Sequence, residues 1–544
     1  MDDTGYNDIG YNNRTSGVSN SSRIRTPHID ALADGGVKLG QYYAQPICTP
    51  SRAAFMTGRY PHRYGVTGYT ISAVAPWGIP IAEAFLPEFL QDAGYVTACY
   101  GKWHLGFFKE QYLPSARGCD SSAGLYNAQG DHFEHVIDNG YDWQVDEKPA
   151  LEFRGNYSGD LVRDHAVAFI RQRAASRAAN PFFMYVAFQE AHSPFQVPQA
   201  FKDLYPELSS TPSRQALAGM VSHNDAMIGD IYDALVQTAQ LPRTIIVFSA
   251  DNGGPGGQED VPRPSQFDDA VLERNWPFRG QKHEVYEGGV RVAGWVHSPL
   301  LPEALVGTTQ DALFHITDWL PTLISATGAS LASRAHLPLD GVDQWACLRG
   351  DATACARDEV LLNFNTVCDN VLPARGPIRS LPEQGETAAE AAEATEAAEA
   401  AEAAAQLILH TFTDDAPYYS AAPRAYNTEC PAPKAALRVG SLKLLAECFD
   451  AASASFIGRL ELYNVSSDPA EATDLAAALP DEVARLSARL REHGLEAIKV
   501  APLSDAPPWQ GADYFCAACP VGAPKGADKV WVPWCESPTG KPCA

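Results

Sequence analysis

The chain has 544 residues, 45% of them hydrophobic and 20% charged, with a formal net charge of −25. That length allows two or three ordinary domains around a large buried core. A charge so negative excludes nucleic acid or an anionic membrane surface as a bulk partner, since both need a basic footprint, and no apolar run reaches transmembrane length.

In chain order, TPHIDALADGG (26–36) reads as a short helix ended by glycine. CTPSRAAFMTGRY (48–60) follows, with Cys48 three residues before the pair Ser51-Arg52. A cation at Arg52 would lower a thiol pKa from about 8.5, so Cys48 is either a nucleophile or a packed core cysteine. IAEAFLPEFLQDAGY reads as a helix with Gly94 placed to cap it, and YVTACY as a short strand after it. PFFMYVAF is a continuous apolar run, as for a strand covered on both faces. Between Ser213 and Gln237, Leu217, Met220, Met227, Ile228, Ile231 and Leu235 recur at helical spacing and form a core stripe. TIIVFSA is a further buried strand. This alternation predicts an α/β fold with a large, mostly parallel sheet flanked by helices.

Each strand runs into a polar loop: YVTACY into GKWHLG, PFFMYVAF into QEAHSP, TIIVFSA into DNGG. Open α/β sheets bind ligands beyond the carboxyl ends of their strands, so three such loops can converge on one site. After about residue 355 the texture changes. Residues 384–406 form an Ala/Glu-rich insertion without an apolar face. ALRVGSLKLLAECF and RLELYNV read as antiparallel strands, and DEVARLSARLREHGLEAI as an amphipathic helix with Gly494 near its end. The expected organisation is a catalytic domain over 1–355 and a smaller α+β domain over 356–544 that contains an antiparallel sheet.

Twelve cysteines, most of them after residue 340, suit disulfides in an oxidising compartment. Cys516, Cys519, Cys535 and Cys543 lie close together in sequence, and disulfides are favoured there over zinc. Sequons at Asn13, Asn20, Asn156 and Asn464 fit a glycoprotein. The opening MDDTGYND has no signal-peptide pattern.

Asp2-Asp3 and Asp251-Asn252 together offer three carboxylates and an amide oxygen, a plausible shell for a hard cation such as Ca²⁺ or Mg²⁺; DNGG is otherwise simply a turn. Arg52, Lys102, His104, His192 and Lys282 would suit a tetrahedral oxyanion beside that cation. A cysteine thiolate is a soft ligand and fits a hard cation poorly. The misfit disappears if Cys48 is not a thiol in the mature protein.

CTPSRAAFMTGR resembles the sulfatase signature, in which a cysteine followed by x-Pro-x-Arg becomes formylglycine. DDTGYNDIG, IRTPHIDALADGG, GKWHLG, YVAFQEAHSPFQVP, FSADNGG and NWPFRGQKHEVYEGGVRVAGWVHSPLL occur in the family order, and LYNVSSDPAEATDL resembles its C-terminal part. The blocks look closest to the arylsulfatase B, or N-acetylgalactosamine-4-sulfatase, branch. The resemblance implies an alkaline-phosphatase-like fold and hydrolysis of sulfate esters, expected on a sulfated carbohydrate or aryl sulfate.

It implies further that Asp2, Asp3, Asp251, Asn252 and the modified Cys48 hold calcium. Hydrated formylglycine would attack sulfur, helped by Arg52. His192 and Lys282 would hold the sulfate and protonate the leaving alcohol. Lys102 would help hold formylglycine and sulfate, and His104 would take the proton that releases the product. A formylglycine-generating enzyme is then a maturation partner, and the secretory route, extracellular or lysosomal, the expected location. The family carries an apolar strand before the Asp pair, whereas Met1 abuts Asp2 in this sequence, so both aspartates are expected on a frayed terminus. The alternatives are a phosphodiesterase or phosphonate hydrolase of the same superfamily, and a catalytically silent sulfated-glycan-binding protein.

Overall fold

In the computed structural model, the described residues are 1–14, 24–66, 70–73, 75, 77–137, 140–176, 180–255, 275–334, 337–364, 435–450 and 454–498. The insertion at 384–406, the sequon at Asn20 and the four cysteines from Cys516 on lie outside them. The strands, in chain order, are β1 (Val37–Tyr43), β2 (Val96–Gly101), β3 (Ser121–Gly124), β4 (Val136–Ile137), β5 (Gly140–Tyr141), β6 (Gln144–Val145), β7 (Lys148–Pro149) and β8 (Phe182–Ala187). They continue with β9 (Ile246–Ser249), β10 (Gly294–His297), β11 (Thr309–His315), β12 (Glu359–Phe364), β13 (Ala435–Val439), β14 (Leu442–Asp450) and β15 (Ser455–Asn464).

The α/β class holds, and the strands are distributed over several sheets. One has the order β7-β6-β3-β2-β8, with β2 parallel to both β3 and β8 and Val96 opposite Phe182. A second has the order β11-β1-β10-β9, where β1 is parallel to β11 and antiparallel to β10. The expected antiparallel sheet near the C-terminus is β12-β13-β14-β15. Against its apolar face, Leu486 and Leu490 of the helix Pro480–Ile498 pack on Leu437, Leu444 and Leu462. That helix carries Gly494 near its end, as expected. A Cβ there would lie 2.5 Å from Phe364 and 2.8 Å from Phe449, so the glycine admits two phenyl rings.

Two elements differ from expectation. The helix expected from IAEAFLPEFLQDAGY spans only Leu86–Asp92, because Pro87 sits in its first turn, where no backbone N–H is needed. β8 is apolar throughout but only half-buried from Phe182 to Val186. Phe182, Met184 and Val186 line a cavity of about 630 Å³ opposite Ile246 and Phe248 of β9.

The chain start closes the end of that cavity, and the expected fraying does not occur. The Met1 amine donates to Ser249 O at 2.9 Å, and Asp251 N donates to Met1 O at 3.1 Å. On the other side Asp2 N donates to Glu190 O at 2.9 Å and Ala191 N to Asp2 O at 2.7 Å. Four backbone bonds thus seat Met1 and Asp2 between the ends of β8 and β9. Asp2 is fully buried and Asp3 is 3% exposed.

Candidate active site

Cys48 is the first residue of the helix Cys48–Thr57, which Gly58 ends in a left-handed conformation at φ 66°. Arg52 lies one turn further along the same face. Lys102 and His104 follow the end of β2, His192 follows β8, and Asp251 and Asn252 follow β9. Lys282 comes from a loop whose Lys282 N donates to Gly254 O. The three strand-end loops therefore meet beside Cys48, as the sequence pattern predicts. Asp3 and His104 both adopt positive φ, 50° and 55°, which L-residues rarely do and which clusters at functional sites.

The side chains form one buried network. Asp2 Oδ2 accepts from Lys102 Nζ at 2.6 Å, and Asp3 Oδ2 from Lys282 Nζ at 2.5 Å. Asp251 Oδ2 accepts from Arg52 Nη2 at 2.8 Å. Cys48 Sγ lies 3.6 Å from Asp2 Oδ1 and 3.8 Å from Asp3 Oδ1. Lys282 Nζ is 3.2 Å from His192 Nε2. All of these side chains are at least nine-tenths buried.

Burial alone would raise the Asp3 pKa, but Lys282 foremost, with Lys102 and the hydrogen bond from Asn252, holds it below the usual carboxylate range. Burial, with Lys282 and Lys102 adding to it, pulls His192 down to about 3, so its ring is neutral and Asp3 pairs with the lysine. Burial, then Lys102 and Arg52, likewise push His104 well below its ordinary value. His104 Nε2 lies 3.0 Å from Ile71 O, which only an N–H can satisfy, so Nδ1 carries the lone pair. Among the described residues that Nδ1 has no hydrogen-bond partner. Burial raises the Cys48 thiol well above its ordinary value despite Lys102 and Lys282. Arg52, which the sequence suggested as an activator, is spent on Asp251, and an unmodified Cys48 is a protonated thiol.

Ligating atoms of Asp2, Asp3, Cys48 and His192 lie within 4.8 Å of one another. Asn252 Oδ1 is buried and without a partner among the described residues, while Asn252 Nδ2 donates to Asp3 Oδ1 at 2.9 Å. An unpaired amide oxygen beside two carboxylates is the donor chemistry of a hard cation. Cys48 Sγ is the one soft atom in the set. Sequence reasoning missed several supporting residues. Thr49 Oγ1 donates to His104 O, Tyr185 takes Arg52 Nη1 at 3.4 Å, and Asn275 brackets Gly254 with two hydrogen bonds. Glu190, buried 3.2 Å from His223 Nδ1, anchors the loop that carries His192. Thr49 and Glu190 stand inside the quoted motifs, but nothing in their spacing distinguishes them.

A family model described as Sulfatase matches residues 1–329. Arylsulfatase J of Mus musculus is 31% identical over 543 residues, covering 98% of this chain and 79% of that protein. N-acetylgalactosamine-6-sulfatase of Sus scrofa is 30% identical over 365 residues, 63% of each chain. Among solved structures, Ps i-CgsB in complex with k-i-k-neocarrahexaose superposes with a TM-score of 0.65 at 22% identity, covering 92% of both chains. PsFucS1 sulfatase from Pseudoalteromonas sp. superposes at 0.62 and 21% identity, covering 93% of this chain and 90% of that one. At these identities the two structures establish the fold.

Proposed function

The chain belongs to the sulfatase family and is a sulfuric ester hydrolase; from that premise we propose that it hydrolyses sulfate esters of a sulfated carbohydrate, using formylglycine made from Cys48 and a bound calcium ion. The observation that carries this reading is the position of Cys48. It stands at the head of its helix, against two buried aspartates and within a shell of fixed cations, where a thiol is neither ionised nor a suitable ligand.

Asp2, Asp3, Asp251 and Asn252 are the residues proposed to hold calcium, with the side chain at 48 adding an oxygen; the ion would supply positive charge for the sulfate oxygens and the nucleophile. As formylglycine, residue 48 would supply a hydrated aldehyde, one hydroxyl for attack and one for release.

The remaining steps belong to the protein's own groups. Lys102 and Lys282 bring two ammonium groups to the site and balance its carboxylates before the anionic substrate arrives. Lys282 Nζ carries the proton for the departing alcohol, and the neutral His192 Nε2 beside it orients that ammonium group. His104 Nδ1, buried with its lone pair unengaged among the described residues, is the base that takes a proton from residue 48 to free the product. Arg52, locked on Asp251 and Lys102 O, fixes the helix that presents residue 48.

The sulfated-carbohydrate substrate rests on the likeness to N-acetylgalactosamine-6-sulfatase and to Ps i-CgsB, solved in complex with k-i-k-neocarrahexaose. Disulfides Cys99–Cys119 and Cys347–Cys355 support an oxidising compartment and hence the secretory route. No described helix is long and apolar enough to cross a membrane.

The test is sulfate release from an aryl sulfate against a matched aryl phosphate. It uses protein from a host containing the formylglycine-generating enzyme, with peptide mass spectrometry across residues 48–52. The expected result is an aldehyde at residue 48 and sulfate release that Cys48→Ala abolishes without unfolding. Undiminished release by Cys48→Ala, or a preference for the phosphate, overturns the reading.

A further inference from the structure

His62 lies in the short 3-10 turn Pro61–Tyr64, just beyond the helix that carries Cys48. His493 and Glu496 lie three residues apart on one face of the helix Pro480–Ile498. One ligating atom from each of the three side chains falls within 4.8 Å of the others. His62 is 2% exposed, and neither of its ring nitrogens has a hydrogen-bond partner among the described residues. Leaving such a group unpaired costs about 1–3 kcal/mol. The two imidazole rings meet edge to face with centroids 5.7 Å apart.

His493 is arranged as a metal-binding histidine usually is. Its Nε2 lies 3.1 Å from Glu359 Oε1, and Glu359 is fixed by Arg489 Nε and Nη2 at 2.8 and 2.9 Å. A carboxylate on one ring nitrogen sets the tautomer and orients the other toward a metal. That other nitrogen, Nδ1, is buried and has no hydrogen-bond partner among the described residues. Glu496 is held by Arg63 Nη1 at 2.7 Å, and with its side chain 46% exposed it opens the cluster to solvent. A tetrahedral zinc ion, with bonds of about 2.0–2.1 Å, sets its ligands about 3.4 Å apart. On binding, rotation of the exposed Glu496 side chain would bring the ligands to that spacing.

We propose that His62, His493 and Glu496 form a second metal site that takes a divalent zinc-class ion and staples the C-terminal helix to the segment following the Cys48 helix. Two imidazoles and one carboxylate suit zinc and leave a fourth position for water. The carboxylate-rich pocket beside Cys48 suits a harder ion. The inference does not depend on the proposed reaction.

The test uses the full-length chain carrying Cys48→Ala and saturated with calcium, so that the other cluster contributes no thiolate. After chelation, and dialysis back into calcium, zinc binding is titrated calorimetrically, and the thermal midpoint is followed with and without zinc. The expected result is one zinc ion per chain and a midpoint that rises with zinc. Glu496→Gln, on the exposed side and compatible with folding, should weaken binding at least about tenfold, and Glu359→Gln by about ten- to a hundredfold. His62→Gln should abolish the zinc-dependent rise. A folded parent protein that binds no zinc, or equal zinc affinity in the parent and in Glu496→Gln, overturns the proposal.

Discussion

Two of the buried ionic clusters among the described residues make a useful pair, because one of them is built to react and the other is not. The first gathers Asp2, Asp3, Asp251, Arg52, Lys102, Lys282 and His192 beside Cys48. The second joins Glu287 and Tyr43 to Lys443 and Glu471, beneath the antiparallel sheet. Charge and burial do not separate them, since Lys443 and Glu287 are fully buried too. Satisfaction does. In the second cluster each carboxylate oxygen faces an ion-pair or hydrogen-bond partner, although Glu471 Oε1 accepts no hydrogen bond among the described residues: Lys443 Nζ lies 3.0 Å from Glu287 Oε1 and 2.9 Å from Glu471 Oε1. Tyr43 OH donates to Glu287 Oε2 at 2.7 Å, and Glu287 N to Glu471 Oε2 at 2.7 Å. In the first, Asn252 Oδ1 and His104 Nδ1 have no hydrogen-bond partner among the described residues. Unpaired atoms at strand ends mark the site that expects a ligand.

The sharpest way to break the comparison is to remove one central group from each cluster. Cys48→Ala should reduce sulfate release at least about a thousandfold and leave the urea unfolding midpoint nearly unchanged. Lys443→Met should do the reverse. It leaves two buried carboxylates facing each other, which costs about 3–5 kcal/mol, while the folded fraction keeps its turnover per active site. If Lys443→Met lost turnover in proportion to Cys48→Ala without losing stability, the two clusters would be one functional unit.

How far these clusters could be read in the sequence depends on where their members sit. GKWHLG, QEAHSP and DNGG follow apolar strand runs, so topology alone brings Lys102, His104, His192 and Asp251 together. The Lys443–Glu287 pair, by contrast, joins residues 156 apart, and no local pattern marks either. His62 and His493 lie farther apart still, each in an unremarkable stretch. Expectation also failed at the start of the chain, because hydrogen bonds to Ser249 and Glu190 come from segments with no sequence link to Met1 and Asp2. The helix with Gly494 near its end was legible, but the reason for a glycine there was not, because only the tertiary structure brings the rings of Phe364 and Phe449 to it.

A finer contrast is the response to pH. Burial, reinforced by Glu287, pushes Glu471 up to about 7 against the opposing pull of Lys443. A carboxyl whose folded pKa is raised stabilises the fold fully below its unfolded pKa, near 4.5, and loses that contribution as pH rises through about 7. The unfolding free energy should therefore fall by roughly 2–3 kcal/mol between those limits. Glu471→Gln should flatten that slope while leaving the pH profile of turnover in place. A slope that persists in Glu471→Gln would assign it to another group.

The smallest expected effect tests whether the C-terminal packing is as rigid as the second cluster implies. Gly494→Ala adds a methyl group to a helix interior, which on propensity alone favours the helix by about 1 kcal/mol. Against that, the added carbon would meet Phe364 Cζ at 2.5 Å and Phe449 Cζ at 2.8 Å, so both rings must move. Those rings already pack edge to face with centroids 5.0 Å apart, within the cluster that holds Leu486 and Leu490. Overpacking of this kind costs about 1–3 kcal/mol, so the clash outweighs the propensity gain. The net expectation is a loss of about 1 kcal/mol, measured by urea unfolding, with turnover unchanged. A gain in stability would mean that the rings yield freely. The C-terminal sheet would then be held mainly by its ionic cluster and not by the fit of its apolar face.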